Sequence, residues 1–111
     1  MSKVILGTEL KLNVNIQPIG GYTMDDYNFD IQLKGGKGAV SFNKKGDTLS
    51  DGLSKGDDSD NYIVAFDTTE LGVGRVNLRV TAYIPDGAFP DRKRTEISES
   101  YTGIDVVKYL V

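Results

Sequence analysis

The chain has 111 residues, of which 39% are hydrophobic, and its formal net charge is −3. This length suits one compact domain with one core, so we expect residues 1–111 to form a single domain. The sequence contains no Cys and no His, which excludes disulfide bonds, thiolate nucleophiles, imidazole bases and most zinc or copper sites. The weak acidity argues against nucleic acid as a partner, because that partner requires a basic face.

The first residues lack the features of a secretory signal, because Glu9 and Lys11 interrupt the chain before a long apolar run develops. No stretch approaches the roughly 20 apolar residues that a membrane helix needs. We therefore expect no signal peptide and no membrane insertion. The expected location is the cytoplasm of the host cell or the inside of a larger particle.

Four segments alternate apolar and polar residues with a period of two, which is typical of strands with one buried face. This alternation predicts half-buried antiparallel strands and not the continuous apolar runs of a parallel sheet. The apolar positions are Leu10, Leu12, Val14 and Ile16; Tyr27, Phe29, Ile31 and Leu33; Val40 and Phe42; and Val76, Leu78, Val80, Ala82 and Ile84.

The glycines at positions 35, 36 and 38 predict a hairpin turn between the second and third of these segments. Matching the apolar faces requires an even number of loop residues, either two or four, because a one-residue slip turns a whole face over. The two-residue turn would place Phe29 opposite Phe42. A phosphate-binding loop is not expected here, because no helix follows the glycines.

Residues 46–61 are rich in Gly, Ser and Asp, which predicts a long mobile connection, with a short edge strand around Thr48 to Leu53 as the alternative. Asp57, Asp58 and Asp60 carry the oxygen ligands that calcium prefers. However, the segment lacks the central Gly and the closing Glu of a helix–loop–helix calcium site. We expect a solvated loop without a tight calcium site.

Residues 62–66 read as a strand, followed by a single helical turn that Asp67 or Thr68 caps and Gly72 ends. Many immunoglobulin-like sandwiches use such a turn, with an inward Leu, to cross between their sheets. Turns at 85–87 and at Pro90 precede two last strands, 95–100 and 104–110. The total predicts an all-β fold: a single antiparallel, immunoglobulin-like β-sandwich of about seven strands.

No catalytic, cofactor-binding or metal-ligating residue is nominated, and we expect neither enzyme activity nor a cofactor. Glu96 and Glu99 point to opposite faces of a strand, so they cannot act as a catalytic pair. Tyr83, with Tyr22 and Tyr101, suits a surface glycan or a protein partner. The basic run 92–94 is expected to protect a strand edge against aggregation.

The end of the chain carries apolar residues on both faces of the predicted last strand. Ile104, Val106 and Leu110 share one face, and Val107, Tyr109 and Val111 share the other. A strand on the surface of a soluble domain needs only one apolar face. The second face either folds over the open end of the core or binds a partner, and an edge strand can also recruit a partner strand. The candidate interface is therefore Val107, Tyr109, Val111 and Tyr83.

Several stretches resemble short β-sandwich proteins encoded among phage and prophage structural genes of gut bacteria. These stretches are residues 22–27, 67–74, 80–86, 89–91, 94–96 and 102–104. The resemblance implies a virion-associated accessory protein that acts by assembly or adhesion, with virion components or a second copy as partners and no catalytic residues. The alternatives are a carbohydrate-binding module and an accessory protein of a conjugative element with the same fold.

Overall fold

The computed structural model describes residues 2–16 and 23–109. Within them the chain forms nine strands, joined by loops and two short 3₁₀ turns, Met24–Asp26 and Thr68–Glu70. In chain order the strands are β1 (Ser2–Ile5), β2 (Glu9–Asn15), β3 (Asn28–Lys34), β4 (Ala39–Lys45), β5 (Thr48–Leu49), β6 (Leu53–Lys55), β7 (Asn61–Asp67), β8 (Gly74–Pro85) and β9 (Lys93–Val107).

The strands make two sheets, one of six strands in the order β1-β9-β8-β3-β4-β5 and one of three in the order β2-β7-β6. Neighbours pair antiparallel except β1 and β9, which are parallel. This is the strand arrangement of a variable-type immunoglobulin sandwich. The predicted all-β, immunoglobulin-like sandwich is therefore confirmed, with more strands than the seven expected.

The core lies between the sheets and is filled from the alternating positions of the strands. Phe29, Ile31 and Leu33 of β3 are fully buried, as are Val64 of β7 and Ile84 of β8. Phe29 and Tyr62 pack edge to face, with ring centroids 4.8 Å apart. The chain has no cysteine to join the sheets, so packing of this kind holds them together.

The β3–β4 hairpin has a four-residue loop, because Lys34 lies opposite Ala39. The prediction of an even loop is confirmed, but the register with Phe29 opposite Phe42 is wrong. Phe42 lies opposite Ile31, and Phe29 lies opposite Lys44. Both phenylalanine side chains are nevertheless buried in the core.

The predicted capped turn after β7 is confirmed, and it carries the chain from the three-stranded to the six-stranded sheet. The side chain of Asp67 accepts a hydrogen bond from the Thr69 N–H at 2.8 Å, and Leu71 is fully buried. Thr68 is buried too and joins this corner to the β1–β2 turn. Its hydroxyl accepts from the Gly7 N–H and donates to the Thr8 carbonyl, each at 2.9 Å.

The connection 46–61 contains two short strands, β5 and β6, each at the margin of one sheet, so the chain crosses between the sheets here. The alternative of a short edge strand around Thr48 to Leu53 is thus confirmed. The last part of the six-stranded sheet differs from its prediction. The two predicted last strands are a single strand, β9, which passes through Gly103 at a φ of 84°. The register with β8 shifts near this glycine, between Arg75 and Asn77, so the irregularity is accommodated as a bulge. β9 ends at Val107.

Candidate functional site

The predicted interface residues lie at opposite ends of the six-stranded sheet. Tyr83 lies opposite Thr95 near the start of β9, whereas Val107 is its last residue. The twelve positions between Thr95 and Val107 correspond to about 40 Å of strand. Tyr83 and Val107 therefore do not belong to one patch. Tyr109 follows the end of β9 with 68% of its surface exposed, and Val111 lies outside the described residues.

The C-terminal part of β9 is not a free edge. Ser2 to Ile5 of β1 pair with Ile104 to Val107, and the Leu6 N–H donates to the Val107 carbonyl at 2.9 Å. β8 covers the other side of this part of β9. Residues 104–107 therefore offer no free edge at which a partner strand could add, because β1 covers that edge. Val107 is half-buried within the sheet.

The free edge of β9 is its longer first part, Lys93–Gly103. On one side this part pairs with β8, and no described residue pairs with its other side. Its side chains are mostly polar, with Lys93 and Arg94 at the start and Glu96 and Glu99 further along. Ile97 is an exception, because it is apolar and 54% exposed.

The strand pairing places Ile97 on the outer face of the six-stranded sheet, away from the core. Ile97 lies opposite Thr81, which alternates with the buried Val80 and Ala82 of β8. The outer face continues across the sheet through Asp30 and Asn43, which share this row with Thr81. It is a broad polar surface with Ile97 at its margin, next to the free edge.

The side of β9 that faces the core layer is also polar. Arg94 donates to the Glu96 carboxylate at 2.7 Å and to the Asp86 carboxylate at 3.1 Å. Glu96 lies opposite Ala82 and Glu99 lies opposite Arg79, so the two glutamates point to opposite faces, as predicted. Charged residues on both faces are one way in which proteins keep an edge strand from uncontrolled pairing.

A cleft of about 690 Å³ opens beside Tyr83 on the outer face. The Tyr83 hydroxyl donates to the Asp30 carboxylate at 2.6 Å, and this hydrogen bond raises the pKa of Tyr83. The Lys93 ammonium lies 5.4 Å from the centre of the Tyr83 ring. Tyr27 and Arg92 also line the cleft, so it offers aromatic surface between charged groups.

The second predicted surface tyrosine, Tyr101, is also half-buried on this face. Its hydroxyl donates to the Asp105 carboxylate at 2.7 Å, which raises the pKa of Tyr101, and the Arg75 guanidinium lies 3.9 Å from its ring centre. Six positions of β9 separate Tyr101 from Thr95, the partner of Tyr83, which is about 20 Å. The two rings are therefore separate contact points. Tyr22 lies outside the described residues.

The acidic segment before β7 has a structural role in the fold. The Asp60 carboxylate accepts hydrogen bonds from the Thr23 hydroxyl and the Met24 N–H, and it so fastens the turn at residues 24–26. The Lys55 ammonium donates to the Asp58 carbonyl. Within residues 2–16 and 23–109, no three acidic side chains come together in a way that could hold a metal ion. No helix in the same residues is long and apolar enough to span a membrane.

Comparison with known proteins adds little to this description. No family model matches the chain, and no curated protein matches it. Among solved structures, the extracellular domain of the voltage-gated sodium channel beta4 subunit is similar over 98% of this chain and 91% of that chain, with 13% identity and a TM-score of 0.39. That structure is described as a parallel homodimer that explains a role in cell–cell adhesion. The TM-score is too low for the likeness to support a functional argument.

Sequence reasoning expected a strand edge at the basic run 92–94 but did not extend it along β9, although the signal was present. Residues 93–100 carry polar side chains on both faces of the strand, and Ile97 is the one apolar residue among them. A strand with two polar faces has no sheet packed on either side of it, which is characteristic of a strand at a margin.

Proposed function

We propose that this protein is a non-enzymatic binding module that joins other proteins through the free edge of β9. The observation that carries this proposal is the backbone edge of Lys93–Gly103 that faces away from β8, with which no strand of the described residues pairs, together with the exposed Ile97. An edge of this length offers a row of backbone donors and acceptors, and partner proteins use such rows to add a strand. The side chains at alternate positions then determine which partner fits.

The proposed setting is a phage or prophage particle, in which the protein acts as an assembly or adhesion component. The resemblance of the turn and strand-end motifs supports this setting, and the absence of His and Cys from the sequence favours a binding role over chemistry. In this proposal the protein resides in the host cytoplasm before assembly and in the virion afterwards.

The test is incorporation into particles purified by density gradient from cells in which the encoding element is induced. Ile97→Glu places a charge on the free edge, and Thr81→Glu places the same charge on the same face but one strand inward. We expect particles to retain the wild type and Thr81→Glu and to lose Ile97→Glu. Particles that never contain the wild-type protein would contradict the proposed setting. Normal incorporation of Ile97→Glu would contradict the proposed edge.

A carbohydrate-binding module is the second candidate function, and the cleft beside Tyr83 favours it. Sugar rings stack on aromatic surfaces while flanking charged groups bind the hydroxyls, and Tyr27 and Tyr83 with Lys93 supply both features. Binding of the wild type to a glycan array would support this candidate if Tyr83→Ala loses that binding and Tyr101→Ala keeps it. The absence of glycan binding by the wild type would contradict it.

A further inference from the structure

We infer that the edge of β9 binds a second copy of this chain, in an antiparallel pairing centred on Ile97. This inference rests on the proposed function, because it names the partner at the same edge. The pairing would join two six-stranded sheets into one continuous sheet related by a two-fold axis. Three features of the described residues lead to this arrangement: the charge order along the strand, the position of Ile97 and the space beside β1.

The charge order favours an antiparallel partner of the same sequence. The basic Lys93 stands at the start of the free edge and the acidic Glu99 stands further along it, 3.5 Å from Arg79 of its own chain, whereas Arg94 and Glu96 pair with each other. In an antiparallel pair of identical strands, the basic start of one lies beside the acidic end of the other. A parallel pair would align like charges, which is destabilising across strands. The edge is thus complementary to itself in one direction only.

The position of Ile97 selects the register. A two-fold antiparallel pair places one residue directly opposite its own copy, and charged residues are unsuited to that position because like charges repel. Centring on Ile97 sets two exposed apolar side chains against each other and brings Lys93 diagonally next to Glu99 of the second copy. It also leaves Glu96 opposite Ser98, and Glu96 is already paired with Arg94 of its own chain. Centring on Ser98 would instead set Ile97 against Glu99.

The length of β9 that β1 leaves uncovered fits this register. β1 begins to pair at Ser2, which lies opposite Ile104. With Ile97 at the centre, residues 93–101 of each copy overlap, so the strand of the second copy stops short of β1. Centring on Ser98 would bring Lys93 of the second copy opposite Gly103, directly beside Ser2. The proposed pairing therefore fits within the part of β9 that β1 leaves open, residues 93–103.

Disulfide trapping tests the pairing and its register together, because the natural sequence contains no cysteine. Directly opposite residues in an antiparallel pair have Cα atoms about 4.5–5.5 Å apart, within the range that a disulfide spans. In the proposed register residue 97 faces its own copy and residue 95 faces residue 99. We expect Ile97→Cys to form a covalent dimer under mild oxidation. Thr95→Cys and Glu99→Cys should each form no covalent dimer alone and should cross-link only when mixed, because in this register residue 95 faces residue 99 and not its own copy.

All three sites are exposed, so the substitutions leave the core unchanged, and circular dichroism verifies the fold of each variant. Light scattering of the wild type and of Ile97→Glu, neither of which contains a cysteine, provides an independent reading, with a dimer expected only for the wild type. A monomeric wild type, or equal cross-linking of the three single variants, would overturn the inference. Particle incorporation that Ile97→Glu still abolishes would then leave the proposed function standing, with a different protein as the partner.

Discussion

Gly36 lies so close to Val73 that a Cβ atom on Gly36 would overlap the Val73 carbonyl oxygen. The β3–β4 loop thus rests backbone to backbone on the corner between β7 and β8. The Lys37 and Gly38 N–H groups both donate to the Leu71 carbonyl, at 2.9 and 3.2 Å. The glycines that predicted a turn are needed here for close approach as well as for the turn itself.

We therefore expect Gly36→Ala to lower the free energy of unfolding by about 1–3 kcal/mol, the usual cost of forcing an extra carbon into a packed site. Gly87→Ala is the matched control, because a Cβ at Gly87 would meet no atom within 4 Å and its φ is not positive. The control should change stability by less than about 0.5 kcal/mol. Urea denaturation of both variants measures the difference. Equal stabilities would contradict the close approach of the loop and the corner.

The hydroxyl of Thr68 also holds two parts of the fold together, the β1–β2 turn and the corner after β7. Thr68→Val keeps the shape of the side chain but leaves the Gly7 N–H without its acceptor. We expect a loss of about 1–3 kcal/mol, the cost of leaving a buried polar group unpaired. Thr68→Ser, which retains the hydroxyl, should be the more stable of the two variants by denaturant midpoint. The opposite order would mean that the methyl group matters more than the hydrogen bonds.

The hydrogen bond between Tyr62 and Asp25 links the interior to the turn at residues 24–26. The Tyr62 hydroxyl donates to the Asp25 carboxylate at 2.7 Å, and this bond lowers the pKa of Asp25. Burial, followed by the same bond, raises the pKa of Tyr62. The Asp25 contribution to stability is complete above its unfolded pKa of about 3.9 and is lost as the pH falls through the lowered folded value. The Tyr62 contribution is complete below about pH 10 and declines above it.

Tyr62→Phe should therefore cost about 1.5–3 kcal/mol at neutral pH, as the loss of one hydrogen bond to a charged group. The cost should shrink at both extremes of pH. Urea midpoints of the wild type and the variant, measured from about pH 3 to about pH 11, test this difference. Asp26→Asn controls for the loss of a carboxylate from the same turn, because Asp26 is the exposed neighbour of Asp25. A cost that stays constant with pH would exclude a role for the ionised Asp25.

The sequence predicted the faces of the strands well because burial on one face leaves a period-two pattern in a single segment. It did not decide the register of β3 and β4, and Lys44 is the reason. Lys44 occupies the inner face opposite Phe29 and is only 5% exposed, with its ammonium donating to the Tyr27 carbonyl at 2.8 Å. A lysine predicts a solvent-facing position, so the apolar face of β4 seemed to end at Phe42.

The free edge of β9 depends on pairing between distant parts of the chain, which a local pattern does not contain. Ile5 pairs with Val107, so β1 covers the C-terminal part of β9. The free edge therefore lies earlier in β9, where Ile97 stands. Gly103 likewise looks like a break between two strands, although β9 passes through it. Side-chain alternation reports which face of a strand is buried, whereas the identity of its neighbour is set by the whole fold.

A pair of cysteines on the outer face tests the register of β3 and β4 directly. Gln32 lies opposite Ser41 in the four-residue loop register, whereas a two-residue turn would set Gln32 against Ala39. We expect the double variant with Gln32→Cys and Ser41→Cys to form an internal disulfide under mild oxidation, because directly opposite residues lie within disulfide range. The control, with Gln32→Cys and Ala39→Cys, has the same number of thiols but is offset by two residues, so it should keep both thiols free. Mass spectrometry after alkylation counts the free thiols in each variant. Disulfide formation in the control and not in the first variant would show that the strands pair through a two-residue turn, with Phe29 opposite Phe42.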